Sequence, residues 1–331
     1  MTITIREIDL AGANAMSTLL PLFRAATAVD TPRAPEPSES YLRLQIGPRA
    51  ARHIACLVAD DGDRPAGFAR MNHGKVANRD MVYGELWIGA GDRDKVAGAL
   101  VEACRDYARG RGATRLVLDI SELSGYDAVC GAGGGRALAS DYRRQLDLTA
   151  IDREQYAAWA APTEKNARYR VEIWRTPTPE HLLGPLVEAY DVMRDAPTGE
   201  LVLETPPPDL DRRRRTEADN LAAGMQMYVA AAFAADGDGG SGSEIAGFHE
   251  VFVYPDYRMA EVGNTGVPAK FRGGGLGLRL KAAMALHLLE HEPHVDVIST
   301  SNDADNAPMV RVNDAMGYEV AEAWQAWQFE V

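Results

Sequence analysis

A glycine-rich segment in the C-terminal half, VPAKFRGGGLGLRLKAAM at 267–284, carries the spacing that most clearly suggests chemistry. Its four glycines lie between an apolar, strand-like stretch and an amphipathic, helix-like stretch. Glycine lets backbone N–H groups approach an anion closely, and the positive end of a helix dipole adds a favourable potential there. The segment therefore predicts a phosphate-binding loop at a helix N-terminus.

The spacing of these glycines discriminates between kinds of phosphate ligand. A P-loop needs a glycine, four residues, a second glycine and then Lys with Ser or Thr, which GGGLGLRLK does not supply. No register of the segment fits the G-x-G-x-x-G of dinucleotide-binding proteins. The pattern that fits is R-x-x-G-x-G, formed by Arg272, Gly275 and Gly277.

Polar side chains on the two strand-like segments before this loop are candidates for acid–base chemistry. Glu261 lies six residues before Val267, and the segment EIAGFHEVFVY carries His249, Glu250 and Tyr254. A carboxylate of this kind can act as a general base, orient a substrate or support the structure. His249 is either a substrate contact or a partly buried polar residue.

These residues need a framework, and the hydrophobic pattern predicts the same framework twice. The order strand, helix, helix, three strands, helix, strand, helix, strand runs through residues 1–150 and again through 169–331. Repetition of this order indicates a duplicated domain of α/β (α+β) class, with 151–168 as the linker.

Composition narrows the possible partners and compartments. The net charge of −13 argues against a nucleic-acid or anionic-membrane surface and permits a cationic partner such as an amine. No apolar run of about 18 residues is present, and the N-terminus lacks a signal-like apolar core, so we expect a cytoplasmic protein. Three scattered cysteines fit neither a disulfide framework nor a zinc site, and we expect no metal.

The glycine loop and the segments after it resemble the GNAT superfamily of acyl-CoA-dependent N-acyltransferases. NTGVPAKFRGGGLGLRLK is similar to the fourth strand, loop and third helix of that family, and STSNDADNAPMVRVNDAMGY to its fifth strand and fourth helix. The resemblance implies two tandem GNAT-like domains, each with a mixed, mostly antiparallel central sheet flanked by helices. It also implies acetyl-CoA as co-substrate, with its pyrophosphate in the loop.

The family pattern implies roles for individual residues of the C-terminal half. Its fourth and fifth strands diverge around the pantetheine arm, and glycines at 263 and 266 suggest a bulge there or relief of crowding. Glu261 matches the position of the general base, and Glu250 is the second candidate. The implied coenzyme contacts are Thr265, Gly266, Val267, Arg272, Gly273, Gly274, Gly275, Leu276, Gly277, Leu278, Asn302, Asn306 and Asn313. His249 and Tyr254 are the implied substrate contacts.

One position departs from the family pattern. Many members carry a tyrosine that protonates the departing thiolate, and the matching residue here is Asn313, which cannot act as an acid. It could still hydrogen-bond the CoA sulfur, while the thiolate leaves unassisted or another group donates a proton. Asn302 and Asn306 have a second interpretation as helix caps, which asparagine favours.

The N-terminal half lacks the phosphate pattern. Its corresponding segment, LWIGAGDRDKVAGAL, has no R-x-x-G-x-G, and Asp92 and Asp94 stand where the phosphates would lie. Carboxylates there would repel a pyrophosphate. We therefore expect this half to bind no CoA and to wall part of the substrate cleft.

These features together predict a tandem N-acetyltransferase whose C-terminal half is active on the primary amine of a small molecule. Transfer would be direct, with general-base assistance, in a monomer or homodimer. Two alternatives stay open: another acyl-CoA or an alcohol acceptor at the same site, and a non-catalytic CoA-binding or sensor protein.

Overall fold

The N-terminal half of the chain contains six strands and four helices. The computed structural model describes residues 2–49, 51–195, 199–234, 244–303 and 306–331. In chain order the elements are β1 (Ile3–Glu7), α1 (Ala15–Asp30), α2 (Glu39–Ile46), β2 (Arg52–Asp61), β3 (Arg64–Gly74), β4 (Met81–Ile88), α3 (Arg93–Gly110), β5 (Arg115–Ser121), α4 (Asp127–Ala132) and β6 (Arg136–Asp147).

The C-terminal half repeats this order after one additional helix, α5 (Arg153–Ala160). Its elements are β7 (Tyr169–Arg175), α6 (Glu180–Ala189), α7 (Leu210–Ala222), β8 (Gln226–Ala234), β9 (Ile245–Val253), β10 (Met259–Gly266), α8 (Leu276–His291), β11 (Val297–Asp303), α9 (Ala307–Ala315) and β12 (Glu319–Glu330). The predicted repeat of element order and the predicted α/β (α+β) class are confirmed.

All described strands join one twelve-stranded sheet with the order β1-β2-β3-β4-β5-β12-β6-β11-β10-β9-β8-β7. Only the β4/β5 and β10/β11 pairs are parallel in the described strands, and the other neighbours are antiparallel. The two closing strands are exchanged between the halves. Strand β12 pairs with β5 of the N-terminal half, and β6 pairs with β11 of the C-terminal half. The middle of the sheet is therefore built from both halves.

Helices cover both faces of this sheet because each strand presents apolar side chains to both. Helix α3 packs on one face of the N-terminal half, where Leu100 and Cys104 are completely buried. On the opposite face, α1 packs against Phe68, Trp87 and Trp324. In the C-terminal half, α8 and α6 occupy the corresponding positions. All three cysteines are buried and free.

The predicted linker, 151–168, is tied closely to the C-terminal half. Tyr156 of α5 is buried, and its hydroxyl donates to the carbonyl of Met316 at 2.5 Å. The guanidinium of Arg279, on α8, donates to the carbonyls of Ala160, Asn166 and Tyr169 at 2.9–3.1 Å. The segment thus braces the start of α8. The boundaries at 150 and 168 stay predictions.

Candidate active site

The glycine loop enters α8 with an open N-terminus. Gly275 is the cap residue, with φ of 77°, and no side chain caps the helix. Gly273 is also left-handed, with φ of 87°. Within the described ranges, the amides of 273–278 donate to no protein acceptor. Six consecutive donors at the positive end of a sixteen-residue helix form a concave site for an anion.

Two polar contacts hold the loop in place without using its amides. The side-chain amide of Asn166 donates to the carbonyl of Gly274 at 3.0 Å, and Arg272 Nε donates to the carbonyl of Val267 at 2.9 Å. A Cβ added at Gly277 would meet no atom within 4 Å. The space beside the first turn of α8 is therefore open.

Strands β10 and β11 diverge beside this helix end. They pair only from Met259–Glu261 with Val297–Ser299, although β10 continues to Gly266 and β11 to Asp303. Pairing of β10 with β9 slips between Val262 and Thr265, where the glycines predicted a bulge. The gap between the strands is the place that the sequence assigns to a pantetheine arm.

The two glycines of β10 also relieve crowding. Both roles expected for them, a bulge in the strand and relief of crowding, are therefore present. A Cβ at Gly263 would lie 2.8 Å from the ring of Phe252. A Cβ at Gly266 would lie 2.5 Å from the side chain of Val192. Both distances are below normal contact, so a side chain at either position would displace its neighbours.

Glu261 is the last residue of β10 that pairs with β11, and it borders a cavity of about 400 Å³. Its carboxylate accepts a hydrogen bond from Tyr41 Oη at 2.7 Å and from Tyr254 Oη at 2.5 Å. Burial, followed by the charge of Glu261, raises the pKa of both tyrosines well above the usual 10, so both remain donors at neutral pH. Tyr41 belongs to α2, and the candidate base is therefore held partly by the N-terminal half.

The cavity beside Glu261 is walled by both halves. Helices α1 and α2 and strands β3 to β6 line one part, and β10, β11 and β12 line the rest. The lining side chains include Phe68, Arg70, Tyr83, Glu85, Trp87, Asp119, Asp141, Arg143, Ser299, Ser301 and Glu322.

Glu250, the second candidate base, is buried in an ion pair instead of facing that cavity. Its carboxylate lies 2.8 Å from the guanidinium of Arg213 and accepts a hydrogen bond from Tyr190. Burial raises the pKa of Glu250 to about 8, and a hydrogen bond from the side chain of Asn264 opposes that shift. These contacts favour a supporting role for Glu250.

A buried polar chain lies at the position of the missing tyrosine. Asn313 is completely buried, its Oδ1 accepts from Lys281 Nζ at 2.7 Å, and its Nδ2 donates to Asn302 Oδ1 at 2.5 Å. Burial lowers the pKa of Lys281 from its usual 10.5 to about 7. Sequence reasoning missed Lys281, although a lysine in a run of buried apolar positions on α8 was the available signal.

The remaining predicted contacts have local partners. His249 Nδ1 lies 2.8 Å from Thr265 Oγ1, and burial lowers the pKa of this histidine well below 6.5. Asn306 caps α9, because its Oδ1 accepts from the amide of Met309 at 3.3 Å. Asn306 is therefore a helix cap, which was one of the two roles expected for it.

The matching helix end in the N-terminal half is closed by its own side chain. Asp92 caps α3 by accepting from the amide of Lys95 at 3.3 Å, and Asp94 lies in the same first turn. The two carboxylates occupy the positive end of the helix, where α8 has only glycine and leucine.

Neither a metal site nor a membrane-spanning helix is found among the described residues. Among the described side chains, no group of three or more His, Cys, Asp and Glu residues is arranged to hold a metal ion. A search of the described helices finds none with the length and apolarity needed to cross a bilayer.

Solved structures with the same arrangement include a tandem GNAT protein, although comparison with family models and curated proteins finds no match. No protein-family model matches the chain, and no curated protein does. A tandem GNAT protein from the clavulanic acid biosynthesis pathway superimposes with a TM-score of 0.80 and 24% identity over 99% of this chain and 98% of the other.

Two further structures share the arrangement at lower identity. A GCN5-related N-acetyltransferase from Sphaerobacter thermophilus gives a TM-score of 0.65 and 16% identity, covering 99% of this chain and 95% of its own. A putative acetyltransferase from Pyrococcus horikoshii gives 0.58 and 12%, covering 99% and 89%. The chain has the tandem GNAT fold.

Proposed function

We propose that the chain is an acyl-CoA-dependent acyltransferase that moves an acetyl group from acetyl-CoA to the primary amine of a small molecule. The observation that carries this proposal is the uncapped N-terminus of α8 beside the gap between β10 and β11. An acyl-CoA has a pyrophosphate that suits the amides and a narrow pantetheine arm that suits the gap.

The residues present fit such a co-substrate. The amides at 273–278 supply donors for the phosphate oxygens, and the helix dipole favours their negative charge. Thr265, Gly266 and Val267 lie along the diverging end of β10, where backbone groups facing β11 lack a strand partner. These groups would hold the amide-rich pantetheine arm, and the thioester would then lie near Glu261.

In acyl transfer the amine nitrogen bonds to the thioester carbon, the carbon–sulfur bond breaks, and its electron pair leaves with sulfur. An alkyl amine is mostly protonated at neutral pH, so one proton must be removed before attack. Glu261 is the carboxylate at the end of the paired region, facing the cavity where an amine would enter. We assign to it the acceptance of that proton, directly or through water.

A titration of CoA into two variants of one residue tests the proposed coenzyme site. Gly277→Asp places a carboxylate among the open amides without a steric clash, since a Cβ there meets nothing. We expect CoA affinity to fall by at least about tenfold through charge repulsion. Gly277→Ala is the matched control and should bind within about threefold of the parent.

Gly275→Asp is a weaker test, because its left-handed backbone would strain any other residue. If folded Gly277→Asp binds CoA as tightly as the parent, the coenzyme site is elsewhere.

Thiol release from acetyl-CoA in the presence of a panel of amines then tests transfer itself.

A non-catalytic CoA-binding protein is the second candidate, and Asn313 is the observation that favours it. Its amide is committed to Lys281 and Asn302 and cannot protonate a thiolate. CoA binding without thiol release for any amine or alcohol would support this alternative. Thiol release with another acyl-CoA or with alcohols would support the related transferase.

A further inference from the structure

The cavity beside Glu261 carries an excess of negative charge. Among the residues that the structure describes, the lining has five carboxyl groups, from Glu85, Asp119, Asp141, Glu261 and Glu322, and two guanidinium groups, from Arg70 and Arg143. The formal excess is therefore three negative charges. A cavity of one sign concentrates ligands of the opposite sign.

Both guanidinium groups are already matched by carboxylates. Arg70 lies 2.9 Å from Glu85, and Arg143 lies 3.2 Å from Asp119. Arg143 also lies over the ring of Trp324, at 3.4 Å from its centroid. Both arginines are thus held by pairing and packing, and the carboxyl groups of the described lining outnumber them.

Glu322 is the side chain that most clearly lacks a partner. It is only 4% exposed, it lines the cavity, and its Oε1 has no hydrogen-bond partner among the described residues. Burial raises its pKa to about 7. A buried carboxylate without a donor is costly, and a bound cation would satisfy it.

Glu322 and Glu261 lie at separate places along the cavity. Glu261 is on β10 and Glu322 is on β12, with β11 and β6 between them. Three strand spacings amount to about 14 Å between the backbones. The register also places Glu322 opposite Arg143, two residues along β6 from the residue opposite Ser299, which pairs with Glu261. Phe68 and Trp87 add apolar surface to the same cavity.

We propose that the acceptor is an elongated molecule with at least two cationic groups, one amine at Glu261 and a second cation at Glu322, three strands away. This inference rests on the proposed function for the identity of the reacting amine. The chemical class it names comprises linear polyamines and other amines with a second, remote cation. The N-terminal half then supplies α1, α2 and β3 to β5 as a wall around the non-reacting part.

Binding of simple amines in the presence of CoA tests the inference without requiring transfer. Calorimetry compares the long diamine 1,7-diaminoheptane with heptylamine, which lacks the second cation, and with 1,3-diaminopropane, which is too short to reach both carboxyl groups. We expect the long diamine to bind at least about tenfold more tightly than either control. In Glu322→Gln that advantage should disappear, while heptylamine binding stays unchanged.

Glu330→Gln is the matched control, because Glu330 lies exposed on the same strand and outside the described lining of the cavity. It should retain the preference for the long diamine. Equal binding of the diamine and heptylamine by the parent, no binding of either, or an unchanged preference in Glu322→Gln would each overturn the inference.

The two proposals fail separately. If the diamine binds in a way that depends on Glu322 but no thiol is released from acetyl-CoA, the dication site is supported and the transferase is refuted. If monoamines are acetylated and diamines bind no more tightly than monoamines, the transferase is supported and the dication site is refuted.

Discussion

The carboxylate of Glu261 is held by two hydroxyl groups from different halves of the chain. Its proposed role as proton acceptor can be tested by substitution. Tyr41 and Tyr254 fix the carboxylate at the mouth of the gap between β10 and β11. Glu261→Gln keeps the size of the side chain and removes its ability to accept a proton. We expect turnover to fall by about 10²–10³ with CoA affinity retained.

Tyr41→Phe is the control for this substitution, because it removes one hydrogen bond and leaves the carboxylate. Its turnover should fall by only a few-fold, roughly the effect of one lost hydrogen bond. A Glu261→Gln protein whose rate and pH profile match those of the parent would show that another group removes the proton.

Lys281 predicts a pH dependence of stability. Its folded-state pKa of about 7 lies below the usual 10.5, so between these values the unfolded chain binds more protons than the folded one. Stability should therefore rise as the pH increases from 7 towards 10, on the order of 2 kcal/mol from this group. Below pH 7 both states are protonated and the dependence ends.

Urea unfolding at pH 7 and pH 9.5 measures this effect, with Lys281→Met as the comparison. The variant removes the titrating group, so the increase should be smaller in the variant than in the parent. Identical pH dependence in both proteins would mean that the lysine remains charged in the folded state, stabilised by Asn313 and by Tyr318, whose ring centroid lies 4.8 Å from Nζ.

At the scale of elements, the two halves differ most at the first turns of α3 and α8. Gly277 on α8 corresponds in position to Asp94 on α3, and the caps are Gly275 and Asp92. The carboxylates of α3 satisfy its own positive end, whereas α8 leaves its amides open. We therefore expect one CoA to bind per chain in a calorimetric titration.

A stoichiometry of two would contradict this difference between the helices. Asp92→Ala separates capping from coenzyme binding, because it should lower stability by about 1 kcal/mol through loss of the cap. The stoichiometry should remain one, since Asp94 still carries a negative charge in the first turn.

Elements whose signals are local were predictable from the sequence, and contacts between distant segments were not. The glycine loop was predictable from its own residues, because Gly273 and Gly275 take left-handed backbone angles that other residues avoid. The contact of Tyr41 with Glu261 joins residues far apart in sequence, and nothing near Tyr41 indicates it. The arginine run at 212–215 has the composition of a solvated helix face, yet Arg213 is buried against Glu217 and Glu250.

At the scale of the whole molecule, the exchange of β6 and β12 was also hidden from the sequence. Each strand has neighbours on both sides, and its alternation of side chains is the same whichever half supplies the neighbour. The repeat of element order therefore predicted two domains without showing that their closing strands cross over. In the folded chain, β5 and β11 each have one neighbour from their own half, and the other half supplies the second.

The exchange predicts that neither half folds alone. Residues 1–150 without β12 would expose the edge of β5 and the apolar surface around Trp87, which Trp324 of β12 covers. We expect the separate pieces 1–150 and 151–331 to be aggregated or unfolded, and to give native circular dichroism only when co-expressed. The intact chain should unfold in one transition, seen alike by tryptophan fluorescence and far-ultraviolet circular dichroism. A monomeric piece 1–150 that unfolds cooperatively would show that β6 can return to its own half and occupy the place of β12.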